Sequence, residues 1–307
     1  QSPAADVQHR AKAAIIALKL ATNVGDTPAM DAIYRDTIPL ASSLDVDPVD
    51  RLTLSMIYHA IRGEPAVAAL NARELADVAD RSLSPWQQLE TLLDCADALR
   101  RCGNPAETLR LYEHVFHSAI SLACLGLAAE ACHRSIEMYC DSGQLNLAAA
   151  WIRRYRRLRR PATELHYQRQ LNLAFARVAV WQSKWRAASM LLDSSESEPL
   201  WRDAVAMFRS SALATKLRLD IGRGRPNGEL RRWVTALAPL NLCLRKTGAQ
   251  DYETFSLYLG YRAIGEDVAA IALIKSYVEH ERRDTLPPSH EIKTELIGLD
   301  LSLRGQP

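Results

Sequence analysis

The chain lacks any run that approaches the about 18 consecutive apolar residues of a membrane-spanning helix. Residues 1–10 also lack the basic start and apolar stretch of a secretory signal peptide. A strong charge of either sign is missing too, since 38 basic side chains nearly balance 36 acidic ones and leave a formal charge of +2. These absences argue against general attraction to nucleic acid or anionic lipid. We therefore expect a cytoplasmic protein without membrane contact and without direct nucleic-acid binding.

Sustained alternation of apolar and polar residues, the pattern of a half-buried strand, is likewise scarce. Apolar residues recur at intervals of three and four instead, which is typical of helices. At 307 residues the chain is longer than a single globular core usually reaches. An array of repeated helical units resolves this problem, because each unit packs only on its neighbours.

A repeating helix–turn–helix pattern is clearest in residues 93–115. Gly103 stands where a helix ends with a left-handed residue, and Pro105 stands in the first turn of the next helix. Equivalent turn residues recur every 38–43 residues along the chain: Gly25, Gly63, Gly103, Gly143, Ser183, either Gly222 or Gly224, and Gly265. This period indicates a solenoid of paired helices.

Two further positions test the register of the repeat. Nine residues after each turn stand only apolar residues: Tyr34, Ala72, Tyr112, Ile152, Leu192, Trp233 and Ile274. Five residues after the turn, four units carry alanine: Ala68, Ala148, Ala188 and Ala270. We expect these small residues to let the second helix of each hairpin approach its partner closely.

We predict an all-α, right-handed superhelical solenoid of about seven helical hairpins, forming one domain over residues 1–307. The predicted units lie around residues 8–40, 49–80, 86–120, 127–160, 165–193, 200–244 and 250–284. A helix over residues 289–303 is expected to cap the open end of the stack.

The pattern resembles tetratricopeptide repeats, through Ala96, Leu99, Tyr112, the turn residue Gly103 and the alanine after the turn. Units of about forty residues are similar to the long-period sensor arrays of bacterial transcription regulators and signalling proteins. The resemblance implies a non-catalytic regulatory domain that binds a protein, a peptide or a small-molecule effector. It also implies an attached effector domain outside this chain. A constitutive peptide-binding adaptor is the alternative within the same fold, and a homo-oligomer is left open.

Residue patterns for catalysis or metal binding are weak, so we expect no enzyme, no cofactor and no metal. His114 and His117 share a helix face, but no third ligand has suitable spacing. The loop over residues 222–228 is rich in glycine and arginine, yet it follows a helix and lacks the Lys-Ser/Thr of a phosphate-binding loop. An enzyme acting there on a phosphorylated compound is the alternative of another class. The six cysteines, Cys95, Cys102, Cys124, Cys132, Cys140 and Cys243, are expected to be reduced core residues.

The concave surface is the predicted binding site, because the first helix of each hairpin lines it in tetratricopeptide arrays. The register places these candidate residues there: Asp97, Arg101, Glu130, His133, Glu137, Gln170, Arg177, Trp181, Arg209 and Lys216. Trp181 beside Arg177 is the expected anchor for a peptide or an organic anion.

A basic segment over residues 153–160 is the second candidate surface, with Arg153, Arg156, Arg157 and Arg160 as its proposed contacts. Trp151, Tyr155 and Leu158 are expected on its buried side. An ordinary solvated helix face explains the arginines through their apolar stems and the helix dipole. A docking site for an acidic partner and a nucleic-acid contact remain the other two interpretations.

Overall fold

A computed structural model of the chain describes residues 3–24, 26–41, 46–62, 64–158, 165–196, 206–244 and 251–281. Every regular element within these ranges is an α-helix, which confirms the all-α prediction for the described residues. None of these helices is both long and apolar enough to cross a membrane. The predicted cap over residues 289–303 and the turn residues Gly25 and Gly63 lie outside the described residues.

Fourteen helices follow one another in the described part of the chain. They are α1 (Pro3–Val24), α2 (Thr27–Ala41), α3 (Pro48–Ile61), α4 (Pro65–Ser82), α5 (Pro85–Arg101), α6 (Pro105–Ser121), α7 (Leu125–Asp141), α8 (Leu145–Arg156), α9 (Leu165–Trp181), α10 (Trp185–Glu196), α11 (Ala206–Gly222), α12 (Asn227–Leu244), α13 (Asp251–Ala263) and α14 (Asp267–Glu281).

Two compact units divide the chain, and the division falls within α7. The first unit comprises Gln1–Ala131 with Cys243–Ala249, and the second comprises Cys132–Leu242 with Gln250–Pro307. In the first unit, α1 packs on α2 and α3, α3 packs on α4 and α5, and α5 packs on α6. In the second, α9 packs on α10 and α11, and α13 packs on α11 and α14. The helices α1, α3 and α9 each contact their hairpin partner and the first helix of the next hairpin, as in helical-repeat arrays. The assignment of the whole chain to one repeat domain stays a prediction.

One backbone hydrogen bond recurs at the turn of each hairpin. The N–H just after the turn donates to the carbonyl five residues earlier, which closes the helix end as in a Schellman motif. The donors are Asp26, Glu64, Asn104, Gln144, Lys184, Arg225 and Glu266, with N···O distances of 2.8–3.0 Å. The residues before the last five of these donors, Gly103, Gly143, Ser183, Gly224 and Gly265, have φ between 55° and 79°. The predicted turn positions are therefore confirmed for these five hairpins, and the choice between Gly222 and Gly224 falls on Gly224.

Helix starts in the first unit follow from local sequence. Four consecutive helices, α3 to α6, begin at a proline, whose missing N–H has no partner to lose in the first turn. Asp47 Oδ1 accepts a hydrogen bond from the N–H of Val49 at 2.8 Å and so caps α3. Ser84 and Gln87 form a capping box at the start of α5.

The four alanines five residues after the turns, Ala68, Ala148, Ala188 and Ala270, are all 0% exposed. This confirms that the position is an interior one where small side chains pack. In the second unit a glycine serves close approach in the same way. A Cβ on Gly260 of α13 would lie 2.7 Å from Leu217 Cδ2 and 2.7 Å from Val234 Cγ2. The helices α11, α12 and α13 thus meet around a residue that has no room for a methyl group.

Candidate functional site

A buried ion cluster lies in the second unit, centred on Arg177 of α9. Arg177 is 3% exposed, its Nη1 lies 3.5 Å from Glu137 Oε1, and its Nη2 donates a hydrogen bond to Asp141 Oδ1. His133 Nε2 lies 3.5 Å from the same Glu137 oxygen. His133, Glu137 and Asp141 are spaced four residues apart on α7, which places them on one helix face.

The helix α13 supplies an aromatic ring and a further carboxyl group to this cluster. The Arg177 Cζ lies 3.7 Å from the centroid of the Tyr252 ring, in the geometry of a cation–π contact. Tyr252 is 1% exposed, and its hydroxyl donates a hydrogen bond of 3.4 Å to Thr215 Oγ1 on α11. Glu253, next in sequence, is 5% exposed. Helices α7, α9, α11 and α13 therefore meet through polar side chains.

A second guanidinium group, that of Arg218 on α11, stacks on the aromatic side of the cluster. Its Cζ lies 4.0 Å from the centroid of the Trp181 ring and 5.5 Å from that of Tyr252. The centroids of Trp181 and Tyr252 are 6.4 Å apart. Two arginines and two aromatic rings thus alternate, with Arg177 and Tyr252 buried and Arg218 and Trp181 half-buried, and cation–π attraction is stronger where water is excluded.

Burial and the neighbouring charges together set the pKa values of Arg177 and Glu253. Burial opposes the charge of Arg177, but the carboxylates of Asp141, Glu253 and Glu137 outweigh it and raise the Arg177 pKa. Burial raises the pKa of Glu253 to about 7, against the attraction of Arg177, and the nearby Asp141 adds to the rise. Glu253 therefore exchanges its proton near neutral pH, whereas Arg177 stays charged.

Among the buried donors on α9, two lie in this cluster and have no hydrogen-bond acceptor among the described residues. They are Nε of Arg177 and Nε1 of Trp181, one helical turn apart on the same face. Gln170 Oε1, two turns earlier on α9, is a buried acceptor without a donor in the same part of the structure. Most buried polar groups in folded proteins are paired, so such atoms require an explanation. A ligand that pairs with these atoms needs acceptors for Arg177 and Trp181 and a donor for Gln170.

The structure brings together four of the residues predicted for the concave surface: His133, Glu137, Arg177 and Trp181. Two other predicted residues, both on α11, lie elsewhere, since Arg209 is exposed and Lys216 Nζ lies 5.8 Å from the ring centroid of Trp233 on α12. Of the remaining four, Asp97, Arg101 and Glu130 lie in the first unit, half-buried, and Gln170 is half-buried on α9. Ligand binding at all ten residues stays a prediction.

Arg218 and Glu253 also belong to the cluster, although neither was predicted from the sequence. On α11 the inward face carries Ser211, Thr215 and Arg218, spaced by four and three residues. This helix has polar side chains on more than one face, so its pattern of apolar residues does not define a single inward direction. The i, i+4, i+7 spacing of the three residues was the available signal.

The arginine ridge, defined here as Arg153, Arg154, Arg156 and Arg157, is exposed at the end of α8. As expected, Trp151 and Tyr155 are buried beneath it, whereas Leu158 is half-buried. The Arg154 Cζ lies 4.7 Å from the Trp151 ring centroid, and the Arg156 Cζ lies 5.2 Å from that of Phe175. The predicted contact Arg160 lies outside the described residues.

The six cysteines differ in how deeply they are buried. Cys95, Cys102, Cys132 and Cys140 are buried, Cys124 is half-buried, and Cys243 is exposed, so the core assignment of Cys243 was wrong. Burial raises the pKa of Cys102 to about 11 and that of Cys140 to about 12, which disfavours the reactive thiolate.

In the glycine- and arginine-rich loop over residues 222–228, Arg223 Nη1 donates a hydrogen bond to Ser189 Oγ at 3.2 Å, and Arg225 Nε lies 3.9 Å from Glu229 Oε2.

No group of three or more metal-ligating side chains is assembled in the described ranges. No protein-family model, curated protein or solved structure matches the chain.

Proposed function

We propose that this protein is a non-catalytic regulatory binding module, built as a tetratricopeptide-like superhelical solenoid of the long-period type. Its ligand or protein partner binds to the polar faces of α7, α9, α11 and α13 in the second unit. The observation that carries the proposal is the pair of buried donors, Arg177 Nε and Trp181 Nε1, without acceptors among the described residues.

The energetics of the cluster support a binding role over a purely structural one. A buried donor left unpaired costs about 1–3 kcal/mol. Buried ion clusters are often less stabilising than apolar residues of similar volume. The second unit carries both features in one place, together with Glu253, whose burial alone disfavours its charged form. A ligand with oxygen acceptors recovers part of this cost on binding, and perturbed groups of this kind concentrate at functional sites.

A regulatory role follows from where the cluster lies. Its members come from four first helices, and α9, α11 and α13 pack on one another in sequence. A ligand that contacts several of these helices favours the packing in which its contacts are best, and it shifts the population towards that state. In an array of stacked hairpins, such a shift changes the position of any attached effector domain. The resemblance to sensor arrays supports the same interpretation.

The test compares Trp181 and Trp233, which differ in whether the indole N–H has a hydrogen-bond acceptor. Trp233 Nε1 donates a 2.8 Å hydrogen bond to Asp220 Oδ2, whereas Trp181 Nε1 has no acceptor among the described residues. Substitution by phenylalanine removes the N–H in both cases and retains an aromatic ring. We expect Trp233→Phe to lower the free energy of unfolding by about 1 kcal/mol and Trp181→Phe to leave it unchanged or raise it slightly.

Ligand binding should show the opposite order. The wild-type chain is screened by thermal shift against small carboxylates, amides, phosphates and short peptides, and hits are measured by calorimetry. Trp181→Phe should weaken binding of a hit about tenfold, and Trp233→Phe should leave it within about twofold. A hit whose affinity is insensitive to Trp181→Phe, or a panel without any hit, would count against the proposal.

A further inference from the structure

We propose that the arginine ridge at the end of α8 is a second, separate binding surface, and that it takes a carboxylate-rich peptide segment of a partner protein. This inference is independent of the proposed function, because none of the ridge residues belongs to the buried cluster around Arg177. It goes beyond a solvated helix face, which the sequence alone also allows.

Positive charge is in local excess at the arginine ridge. Four arginines lie exposed within five residues, and residues 142–158 contain no acidic side chain at all. Arg153 and Arg157 are four residues apart on one face of the helix or its last turn, where like charges repel. The negative end of the helix dipole offsets only part of that repulsion. An external anion would relieve the repulsion that remains.

Three of the ridge arginines differ from other surface arginines of the chain in their lack of a carboxylate partner among the described residues. Several of them pair with a carboxylate from another helix or turn: Arg62 with Asp31, Arg73 with Glu107, Arg231 with Glu266, and Arg262 with Asp267. By comparison, no carboxylate within the described ranges lies at salt-bridge distance from Arg153, Arg156 or Arg157. Their guanidinium N–H groups face solvent and are available to a partner.

Cation–π contacts arrange the ridge for binding in advance. Arg154 lies over Trp151 and Arg156 over Phe175, with Cζ-to-centroid distances of 4.7 and 5.2 Å. Both rings are buried, so they hold the flat faces of the guanidinium groups and leave the N–H edges outward. Restricting these long side chains before binding reduces the entropy that a partner would otherwise have to overcome.

Carboxylate fits this surface better than nucleic acid does. Base stacking needs exposed aromatic faces, and the rings of Trp151 and Phe175 are buried beneath arginines. The ridge extends only about 6 Å along the helix at about 1.5 Å per residue. So short a surface offers little of the contact area of about 600–1,000 Å² that even small nucleic-acid modules bury. The chain itself contains a forked arginine–carboxylate pair of the kind proposed here, since Arg73 Nε and Nη2 donate to the two oxygens of Glu107 at 3.1 and 2.8 Å.

The experiment measures binding of a fluorescently labelled oligoglutamate peptide by anisotropy, with the full chain. The ridge variant is Arg153→Gln/Arg157→Gln. The matched control is Arg186→Gln/Arg232→Gln, which removes the same charge from exposed positions in the same unit. We expect the ridge variant to bind about tenfold more weakly and the control to stay within about twofold. Raising salt from about 50 to 300 mM should weaken wild-type binding about tenfold, because exposed charges are screened.

Three results would overturn the proposal: no binding of oligoglutamate at low salt, equal loss in the control variant, or tighter ridge-dependent binding of a single-stranded oligonucleotide of equal charge. Circular dichroism verifies that both variants are folded, which we expect because all four substituted side chains are exposed. The Trp181→Phe variant separates this surface from the proposed function. It should bind oligoglutamate as the wild type does, so either proposal can fail without the other.

Discussion

Glu253 should make the stability of this protein fall as pH rises through neutrality. Its carboxyl is buried, and its pKa is raised from 4.5 to about 7, mainly by that burial. The folded state therefore holds the proton more tightly than the unfolded state does. Stability from this group is fully present below pH 4.5 and is lost as the pH rises through about 7. The difference of 7 − 4.5 = 2.5, at about 1.4 kcal/mol per pKa unit, corresponds to about 3–4 kcal/mol.

The substitution Glu253→Gln keeps the shape of the side chain and removes its charge. At pH 8 we expect the variant to have a free energy of unfolding about 3–4 kcal/mol higher than the wild type. Near pH 4.5 the two proteins should be almost equally stable, because the wild-type carboxyl is then protonated in the folded state. Urea unfolding, followed by far-ultraviolet circular dichroism between pH 4.5 and 8.5, measures this difference. The control is Glu229→Gln on the exposed surface of α12, which should change stability by no more than about 0.5 kcal/mol.

The physical reason is burial, which removes water from the charged form of the Glu253 carboxyl and outweighs the attraction of Arg177. The carboxylates of Asp141 and Glu137, which lie at salt-bridge distance from Arg177, add to the rise in the Glu253 pKa. Parallel pH profiles for wild type and Glu253→Gln would refute this reasoning. A variant less stable than the wild type at pH 8 would refute it as well, because Arg177 would then depend on the charge of Glu253.

Three further predictions concern the hairpin turns, the cation of the buried cluster and the cysteines. Ser183 has φ 55°, where other hairpins use glycine, so Ser183→Gly should raise the free energy of unfolding by about 1 kcal/mol in urea titrations, and Gly143→Ala should lower it similarly. A loss of stability in both variants would contradict this. The variant Arg177→Leu leaves two carboxylates buried without their cation and should lose about 3–5 kcal/mol, whereas a loss below about 1 kcal/mol would mean that the cluster is hydrated. Thiol titration should find all six cysteines free after denaturation and Cys243 the fastest to react in the folded protein; two missing thiols would indicate a disulfide.

Local features of the fold were predictable from sequence. The turn residues Gly103, Gly143 and Gly265 adopt positive φ as expected, and even Ser183 does so. Their positions depend on the few residues on either side, because a helix ends where its last carbonyls find the N–H groups of the turn. The buried alanines after the turns follow from the same period. Local sequence and its repeat distance were therefore enough for the helices and their hairpin turns.

Membership of the buried cluster was set by packing between helices that are distant in sequence. Arg177 pairs with Asp141, which is 36 residues away, and lies against Tyr252 in a third helix. On α11 the predicted Lys216 points towards Trp233 of α12, and Arg218 enters the cluster instead. Two positions apart on a helix are about 200° apart around its axis, so a small error in phase moves a side chain to the opposite face. That phase depends on how well whole helix surfaces fit each other, which no short stretch of sequence contains.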